Sequence, residues 1–183
     1  MGVLNITPDS FSDGGKFINL SRALQHAEMM IDNGVDIIDI GAESTRPGAK
    51  ITPIDLERER IEPVIKAIKK DFNIPVSIDT YKSEIMELAI DLGVEMINDI
   101  YALRQPRCLD TVLNSDIMIC LMHMKGSPQN MQLNPSYNDV VGEVVKFLQE
   151  RIIICEKFGI EKSRIILDPG FGFGKTYENN LKL

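Results

Sequence analysis

The chain has 183 residues, a formal net charge of −7 at pH 7, and apolar and charged fractions of 44% and 26%. This balance is typical of one globular domain with a sizeable core. The acidic charge argues against nucleic acid as the main partner, because a phosphate backbone binds a basic face. No apolar run approaches the ~20 residues that a membrane helix needs, so no membrane partner is expected.

Six short apolar runs along the chain each end on a small or polar residue. They cover residues 2–5, 35–41, 76–79, 96–99, 117–123 and 165–168. Apolar strands that alternate with helices predict a parallel sheet covered on both faces. The polar residues at the ends of four runs are Asn5, Asp79, Asn98 and Asp168. We expect them to face one another at the carboxyl edge of the sheet, where such enzymes build their sites.

Helical periodicity fills most of the intervals between these runs. Asn19 is predicted to cap a helix that ends at 33–34, and residues 52–55 have the pattern of a capping box with proline at the first helical position. Ser83 is predicted to open a short helix that Gly93 closes. The longest helix is predicted from about Asn138 to Phe158, ending at Gly159.

About six strand–helix units follow from this pattern, and two α/β architectures accommodate them. One is an open doubly wound sheet and the other is a TIM (β/α)8 barrel. Polar residues at the tip of strand after strand favour the barrel, because an open sheet concentrates its site at one switch point. Barrels typically need ~250 residues. We therefore expect residues 1–183 to be a single barrel domain that lacks its C-terminal end and a few residues before Met1.

The three cysteines, Cys108, Cys120 and Cys155, have no metal-ligand spacing and an odd count. Two of them lie in apolar patterns, which predicts buried, reduced thiols. The first residues lack the basic and apolar regions of a signal peptide. Together these features favour a cytoplasmic location.

The segment from Asn5 to Gly15 contains one phenylalanine, two aspartates, several hydroxyl groups and a glycine pair. A surface turn stabilised by Asp and Ser side chains is the simpler interpretation. A turn does not need a phenylalanine among so many polar residues, whereas a loop that closes over a substrate and excludes water does. The composition therefore favours a substrate loop.

Further motifs occur in a fixed order after this loop. They are Gly-Ala-Glu-Ser-Thr-Arg-Pro-Gly at 41–48, Ser-Ile-Asp-Thr at 77–80, Ile-Asn-Asp-Ile at 97–100, Leu-Met-His-Met at 121–124 and Leu-Asp-Pro-Gly-Phe-Gly-Phe-Gly-Lys at 167–175. With the first loop, they make the chain strongly resemble the dihydropteroate synthase family along its whole length. That resemblance implies a TIM barrel that joins 6-hydroxymethyl-7,8-dihydropterin diphosphate to p-aminobenzoate, releases pyrophosphate and is a target of sulfonamides.

The resemblance assigns a pterin pocket to residues at the strand tips. Asp168 accepts two parallel hydrogen bonds from the amino and ring N–H groups of the pterin edge, as a carboxylate does from arginine. Asp79 and Asn98 complete the recognition of that edge. Met122 and Phe173 supply apolar contacts with the flat ring.

The resemblance also assigns the chemistry and the second substrate. Asn5, Phe11 and Asp13 form the catalytic group: Asn5 contacts the diphosphate and its Mg²⁺, a cation that prefers oxygen ligands, and Asp13 stabilises the developing cation. The loop residues Thr45, Arg46 and Pro47 bind p-aminobenzoate together with Phe11 and Phe173. Family analogy further implies a homodimer.

Two rival functions fit part of the pattern. A methyltetrahydrofolate-dependent methyltransferase would share the polar strand tips but does not need the first loop, and a non-catalytic pterin-binding paralogue would bind pterin without turnover. An ATPase is disfavoured, because Pro169 stands where the Walker pattern before Gly174-Lys175 needs glycine. His123 is interpreted as a structural histidine rather than a general base.

Overall fold

The computed structural model describes residues 1–6, 16–45 and 49–183, with side chains from residue 20 onward in the second range. Strands and helices alternate throughout. The strands are β1 (Gly2–Asn5), β2 (Ile38–Gly41), β3 (Val76–Asp79), β4 (Met96–Asp99), β5 (Met118–Met122) and β6 (Ile165–Asp168). The helices are α1 (Lys16–Asp32), α2 (Ile54–Asp71), α3 (Ser83–Asp91), α4 (Cys108–Leu113), α5 (Val140–Phe158) and α6 (Tyr177–Lys182), with a 3₁₀ turn at Lys162–Arg164.

All six strands of the described residues form one parallel sheet in the order β1-β2-β3-β4-β5-β6. A doubly wound sheet reverses its strand order at a switch point, whereas a barrel adds each strand beside the previous one. The sequential order therefore confirms the predicted barrel class and is inconsistent with the doubly wound alternative.

The main core lies between the sheet and its helices. Alternate strand residues point to this side, and they are fully buried: Leu4, Ile40, Ile78, Ile97 and Ile119. Burial of each such side chain contributes about 1.5–3 kcal/mol. The strand residues between them point to the opposite face of the sheet. Most of the polar tips lie on that face.

Two predicted helix starts are wrong. α1 begins at Lys16, so Asn19 lies inside the helix rather than at its cap; in the sequence, Phe17 continues the apolar spacing of the helix toward its start. α2 begins at Ile54 with Pro53 as its cap residue and no side-chain cap bond. The first backbone bond of the helix runs from the Glu57 N–H to the Pro53 carbonyl, so Pro53 and not Thr52 is at the cap position. The N–H of Thr52 donates to Glu43 and its carbonyl accepts from Lys82.

The interval after β4 contains a helix that periodicity did not predict. Asp99 accepts hydrogen bonds from the backbone N–H groups of Tyr101 and Leu103, both at 2.7 Å. This turn holds Ala102 and Leu103 at positive φ, and Arg107, also at positive φ, precedes α4. Six helical residues are too few for an amphipathic repeat to be recognised.

All three cysteines are buried and unpaired, as the sequence indicated. Within residues 1–6, 16–45 and 49–183, no helix combines the length and the apolar character needed to cross a membrane.

Candidate active site at the carboxyl edge of the sheet

Asn5, Gly41, Asp79 and Asn98 lie side by side at the ends of the first four strands, because each is the register partner of the next. Gly41 separates two oxygen-bearing side chains. A Cβ atom at Gly41 would lie 3.4 Å from Asn5 Oδ1 and 3.5 Å from Asp79 Oδ2. The glycine therefore leaves a gap with an oxygen on each side, and the sequence prediction that these tips converge is met for the first four strands.

A second polar pair, Asp39 and Ser77, lies one pleat below this row and is also in register. Asn98 Nδ2 donates to Asp39 Oδ2 over 3.1 Å. This bond directs the amide nitrogen of Asn98 downward and leaves Asn98 Oδ1 as the free end; that atom is buried without a partner in the structure. Sequence reasoning missed Asp39, although an acidic residue inside an apolar strand was a signal for it.

The row and the pair below it concentrate carboxylates in a poorly solvated space. Burial raises the pKa of Asp39, and the neighbouring Ser77 hydroxyl and the Asn98 amide offset only part of the shift. Burial, followed by the nearby carboxylates of Asp39 and Asp99, raises the pKa of Asp79 well above its ordinary value. Such a site favours a ligand edge that is rich in N–H donors, because donors relieve the cost of the buried charge.

Asp168 lies at the end of β6, opposite Met122 of β5. Its Oδ1 accepts from the N–H of Gly170 over 2.7 Å, and its backbone carbonyl accepts from the N–H of His123. These two contacts fix the carboxyl group at the start of the loop after β6. The side chain is half-buried, so it is held in place without being sealed from the edge of the sheet.

An apolar cluster stands beside these polar groups. Its buried members are Ile100, Met122, Met124 and Met131, with Tyr81, Tyr101 and Phe173 partly buried against them. The structure thus brings Met122 and Phe173 into one cluster, as the sequence predicted. The two tyrosines were missed; their rings contact edge to face, with centroids 4.9 Å apart. The cluster provides an apolar surface suited to a flat ring.

The loop after β6 is folded around Lys175, which is 3% exposed. Its ammonium group contacts the carbonyl oxygens of Gly170 (2.7 Å), Phe173 (3.0 Å) and His123 (3.3 Å), and His123 Nδ1 (3.0 Å). Burial lowers the pKa of Lys175 to about 8. A P-loop lysine must reach a phosphate, whereas the ammonium group of this one is bound by carbonyl oxygens of its own loop and by His123.

Steric crowding at position 170 of this loop leaves no room for a side chain. Gly170 has φ of +69°, and a Cβ there would lie 2.0 Å from the carbonyl oxygen of His123, whereas Gly172 has φ of +81° and open space around it. We expect Gly170→Ala to lower the free energy of unfolding by more than ~3 kcal/mol. Gly172→Ala meets only backbone strain of about 1–2 kcal/mol. Chemical denaturation of both variants checks this, and equal losses would contradict the steric argument.

His123 gives the fold a pH dependence of predictable sign. Burial, and then the Lys175 ammonium group, lower its pKa from 6.5 to about 4. Between these pH values the unfolded chain binds a proton at this residue that the folded chain does not, so the contribution of His123 to the free energy of unfolding falls as the pH falls, by roughly 3 kcal/mol over the window. His123→Asn keeps an acceptor but does not titrate, and we expect it to lose less stability. Urea denaturation at about pH 7 and about pH 4 compares the two; identical losses would refute the assignment.

The remaining predicted site residues belong to the two loops after β1 and β2. Thr45 is half-buried just beyond β2. Phe11, Asp13, Arg46 and Pro47 lie outside the described residues, so their assignments stay predictions.

Comparison with known proteins gives a consistent result. The family described as pterin binding enzyme matches residues 1–183. The chain is 46% identical over 183 residues to a dihydropteroate synthase of Escherichia coli, covering all of this chain and 65% of that protein. It is also similar to the crystal structure of Yersinia pestis dihydropteroate synthase with a sulfonamide drug complex (TM-score 0.93, 45% identity, 66% of that chain). A Xanthomonas albilineans dihydropteroate synthase with 4-aminobenzoic acid matches with TM-score 0.92, 46% identity and 65% coverage of that chain.

Proposed function

Because the chain belongs to the pterin-binding enzyme family, we propose that its protein is a dihydropteroate synthase, a transferase of folate biosynthesis. The reaction condenses 6-hydroxymethyl-7,8-dihydropterin diphosphate with p-aminobenzoate and yields 7,8-dihydropteroate and pyrophosphate. The observation that carries the proposal is the row of Asn5, Gly41, Asp79 and Asn98 at one edge of the sheet. The chain spans about 65% of the length of the curated relatives it matches, so the activity is proposed for the full-length protein.

The acceptors of the site suit the edge of a pterin. Its amino and ring N–H groups are donors. Asp79 and the free Oδ1 of Asn98 are acceptors on neighbouring strands, and Asp168 is a further acceptor at the end of β6. Asp168 uses Oδ1 for the Gly170 N–H, which leaves its other oxygen for the ligand. Met122 and Phe173 would cover the face of the ring. This division into polar edge and apolar face is what a flat heterocycle requires.

Asn5 suits the diphosphate and a magnesium ion. Its Oδ1 and Asp79 Oδ2 flank the gap over Gly41, and oxygen atoms are the ligands that Mg²⁺ prefers while it shares substrate phosphates. No group of three or more His, Cys, Asp and Glu side chains in the described ranges could hold a metal by itself. The ion would therefore bind with its diphosphate, and its chemistry is to neutralise the leaving pyrophosphate.

Positive charge develops on the pterin methylene group as the C–O bond to pyrophosphate breaks. The carboxylates at the carboxyl edge, together with Asp13 of the first loop, would stabilise that charge. Phe11, Phe173, Thr45, Arg46 and Pro47 would hold p-aminobenzoate so that its amino nitrogen attacks the methylene carbon. Sulfonamides would compete at the same place.

The proposal also covers the domain organisation, the cellular location and the oligomeric state of the full-length protein. Eight strands close a TIM barrel, so we expect residues 1–183 to form one domain that further strand–helix units complete in the full-length protein. Three unpaired, buried cysteines suit a reducing cytoplasm. A homodimer is expected from family analogy.

The test is pyrophosphate release from the pterin diphosphate with Mg²⁺, with and without p-aminobenzoate, using the full-length gene product that contains this chain. We expect release that depends on p-aminobenzoate, with dihydropteroate formed in equal amount. Binding of pterin without release would identify a non-catalytic paralogue instead. Methyl transfer from methyltetrahydrofolate to a cobalamin acceptor would identify the methyltransferase.

A further inference from the structure

A buried lysine connects the loop after β2 to the end of β3. Lys82 Nζ lies 2.5 Å from Glu43 Oε2, 2.5 Å from Glu57 Oε2 and 2.6 Å from the carbonyl oxygen of Thr52. The side chains are 9% exposed for Lys82, 10% for Glu43 and 2% for Glu57. The ammonium group has three protons, and each has an acceptor.

The two carboxylates are also supplied with further donors. Glu43 Oε1 accepts from the Tyr81 hydroxyl over 2.5 Å, and Glu43 Oε2 accepts from the Thr52 N–H over 2.8 Å. Glu57 Oε1 accepts from the Thr80 hydroxyl over 3.1 Å. Burial raises the pKa of Glu57, and the bond and charge of Lys82 lower it. The charged groups of this network therefore have hydrogen-bond partners, whereas Asp39 Oδ1 and Asn98 Oδ1 have none.

The positions of these residues in the chain indicate which segments the network connects. Glu43 follows the end of β2 and Thr52 precedes α2, so they mark the two ends of one loop. Tyr81 and Lys82 follow β3, whose last residue is Asp79. We call the five residues Glu43, Thr52, Glu57, Tyr81 and Lys82 the clamp; it ties both ends of the loop to the strand that carries Asp79.

We propose that Lys82 is a positioning residue that fixes Glu43 and Thr52, the two ends of the loop after β2, relative to β3 and thereby supports the binding of p-aminobenzoate. This inference rests on the proposed function, which assigns p-aminobenzoate to Thr45, Arg46 and Pro47 of that loop. Lys82 acts through its partners and does not touch either substrate.

Stability alone is a poor explanation for the clamp. Removing charges from water is costly, and apolar residues of similar volume often stabilise a protein as well as or better than a buried ion pair. What a satisfied network of this kind provides is a single geometry. Here that geometry fixes the separation of the two loop ends relative to β3, and a small error in such a position has a large kinetic effect.

The test compares Lys82→Met and Tyr81→Phe with a matched control in the full-length protein. Lys66→Met is the control, because Lys66 pairs with Glu62 on the exposed side of α2 at 2.6 Å. We expect Lys82→Met to raise KM for p-aminobenzoate at least about tenfold and to change KM for the pterin diphosphate by less than about twofold. Tyr81→Phe removes only one bond to Glu43, so its effect has the same direction and is smaller.

Amide hydrogen exchange provides a second readout that does not depend on activity. The Thr52 N–H donates to Glu43, so its exchange, and that of its neighbours in 43–52, is expected to quicken in Lys82→Met but not in Lys66→Met. Equal losses for both substrates, or unchanged exchange in this loop, would overturn the proposal. If the unsubstituted protein forms no dihydropteroate, the proposed function fails, and the exchange of residues 43–52 alone decides whether Lys82 holds the loop.

Discussion

Asp168→Asn is expected to weaken pterin binding at least about a hundredfold while the protein stays folded. Asp168 Oδ1 accepts from the Gly170 N–H, and the asparagine oxygen can take over that bond. The amide nitrogen must then occupy the position of the other carboxylate oxygen. It presents N–H groups to the N–H groups of the pterin edge, so the acceptor contact of that oxygen is replaced by donor–donor repulsion.

The measurement is calorimetric titration of the full-length protein with 6-hydroxymethylpterin, which cannot lose pyrophosphate. Asp116→Asn is the matched control, because Asp116 is exposed just before the opposite end of β5 and the same change there meets no ligand. We expect the control to bind as the parent does, and thermal unfolding to be similar for all three proteins. Unchanged affinity in Asp168→Asn would remove Asp168 from the pterin site.

The strand tips were predictable because each apolar run stops at a small or polar residue that is followed by a turn. β1, β3, β4 and β6 have the predicted bounds, and β2 and β5 differ only by shorter ends. The carboxyl edge then follows from topology, since parallel strands finish on the same side. That is why Asn5, Asp79, Asn98 and Asp168 could be assigned to one edge from the sequence.

What the sequence could not predict depends on contacts between distant residues. The capping pattern at Thr52 was wrong: Pro53 accepts the first helical bond, and the backbone groups of Thr52 bond Glu43 and Lys82. Lys82 and Glu43 are 39 residues apart, and no local pattern indicates such a pair. Asp39 was missed for the same reason: it stands in an apolar run, and only the register with Ser77 and the bond to Asn98 give it a role.

Asp39→Leu is expected to separate stability from pterin binding. Leucine has nearly the shape of aspartate, and it replaces a side chain that is 4% exposed with one oxygen unpaired. Leucine removes the cost of burying the carboxyl group but leaves the Asn98 amide without its acceptor, so the two effects are expected to offset each other and change the free energy of unfolding by less than about 1 kcal/mol. The Asn98 amide then loses its acceptor and can rotate. It is expected to present Nδ2 as often as Oδ1 to the pterin, which lowers affinity roughly tenfold or more.

Asp39→Asn distinguishes the orientation of Asn98 from the charge of Asp39. The asparagine oxygen still accepts from Asn98 Nδ2, so we expect this variant to keep most of the pterin affinity although it has lost the charge. Urea denaturation and titration with 6-hydroxymethylpterin measure both quantities on the same samples. If Asp39→Asn loses as much affinity as Asp39→Leu, the carboxylate acts through its charge and not through the amide. If Asp39→Leu binds pterin normally, Asn98 is oriented by other contacts, and the lower polar pair has no part in recognition.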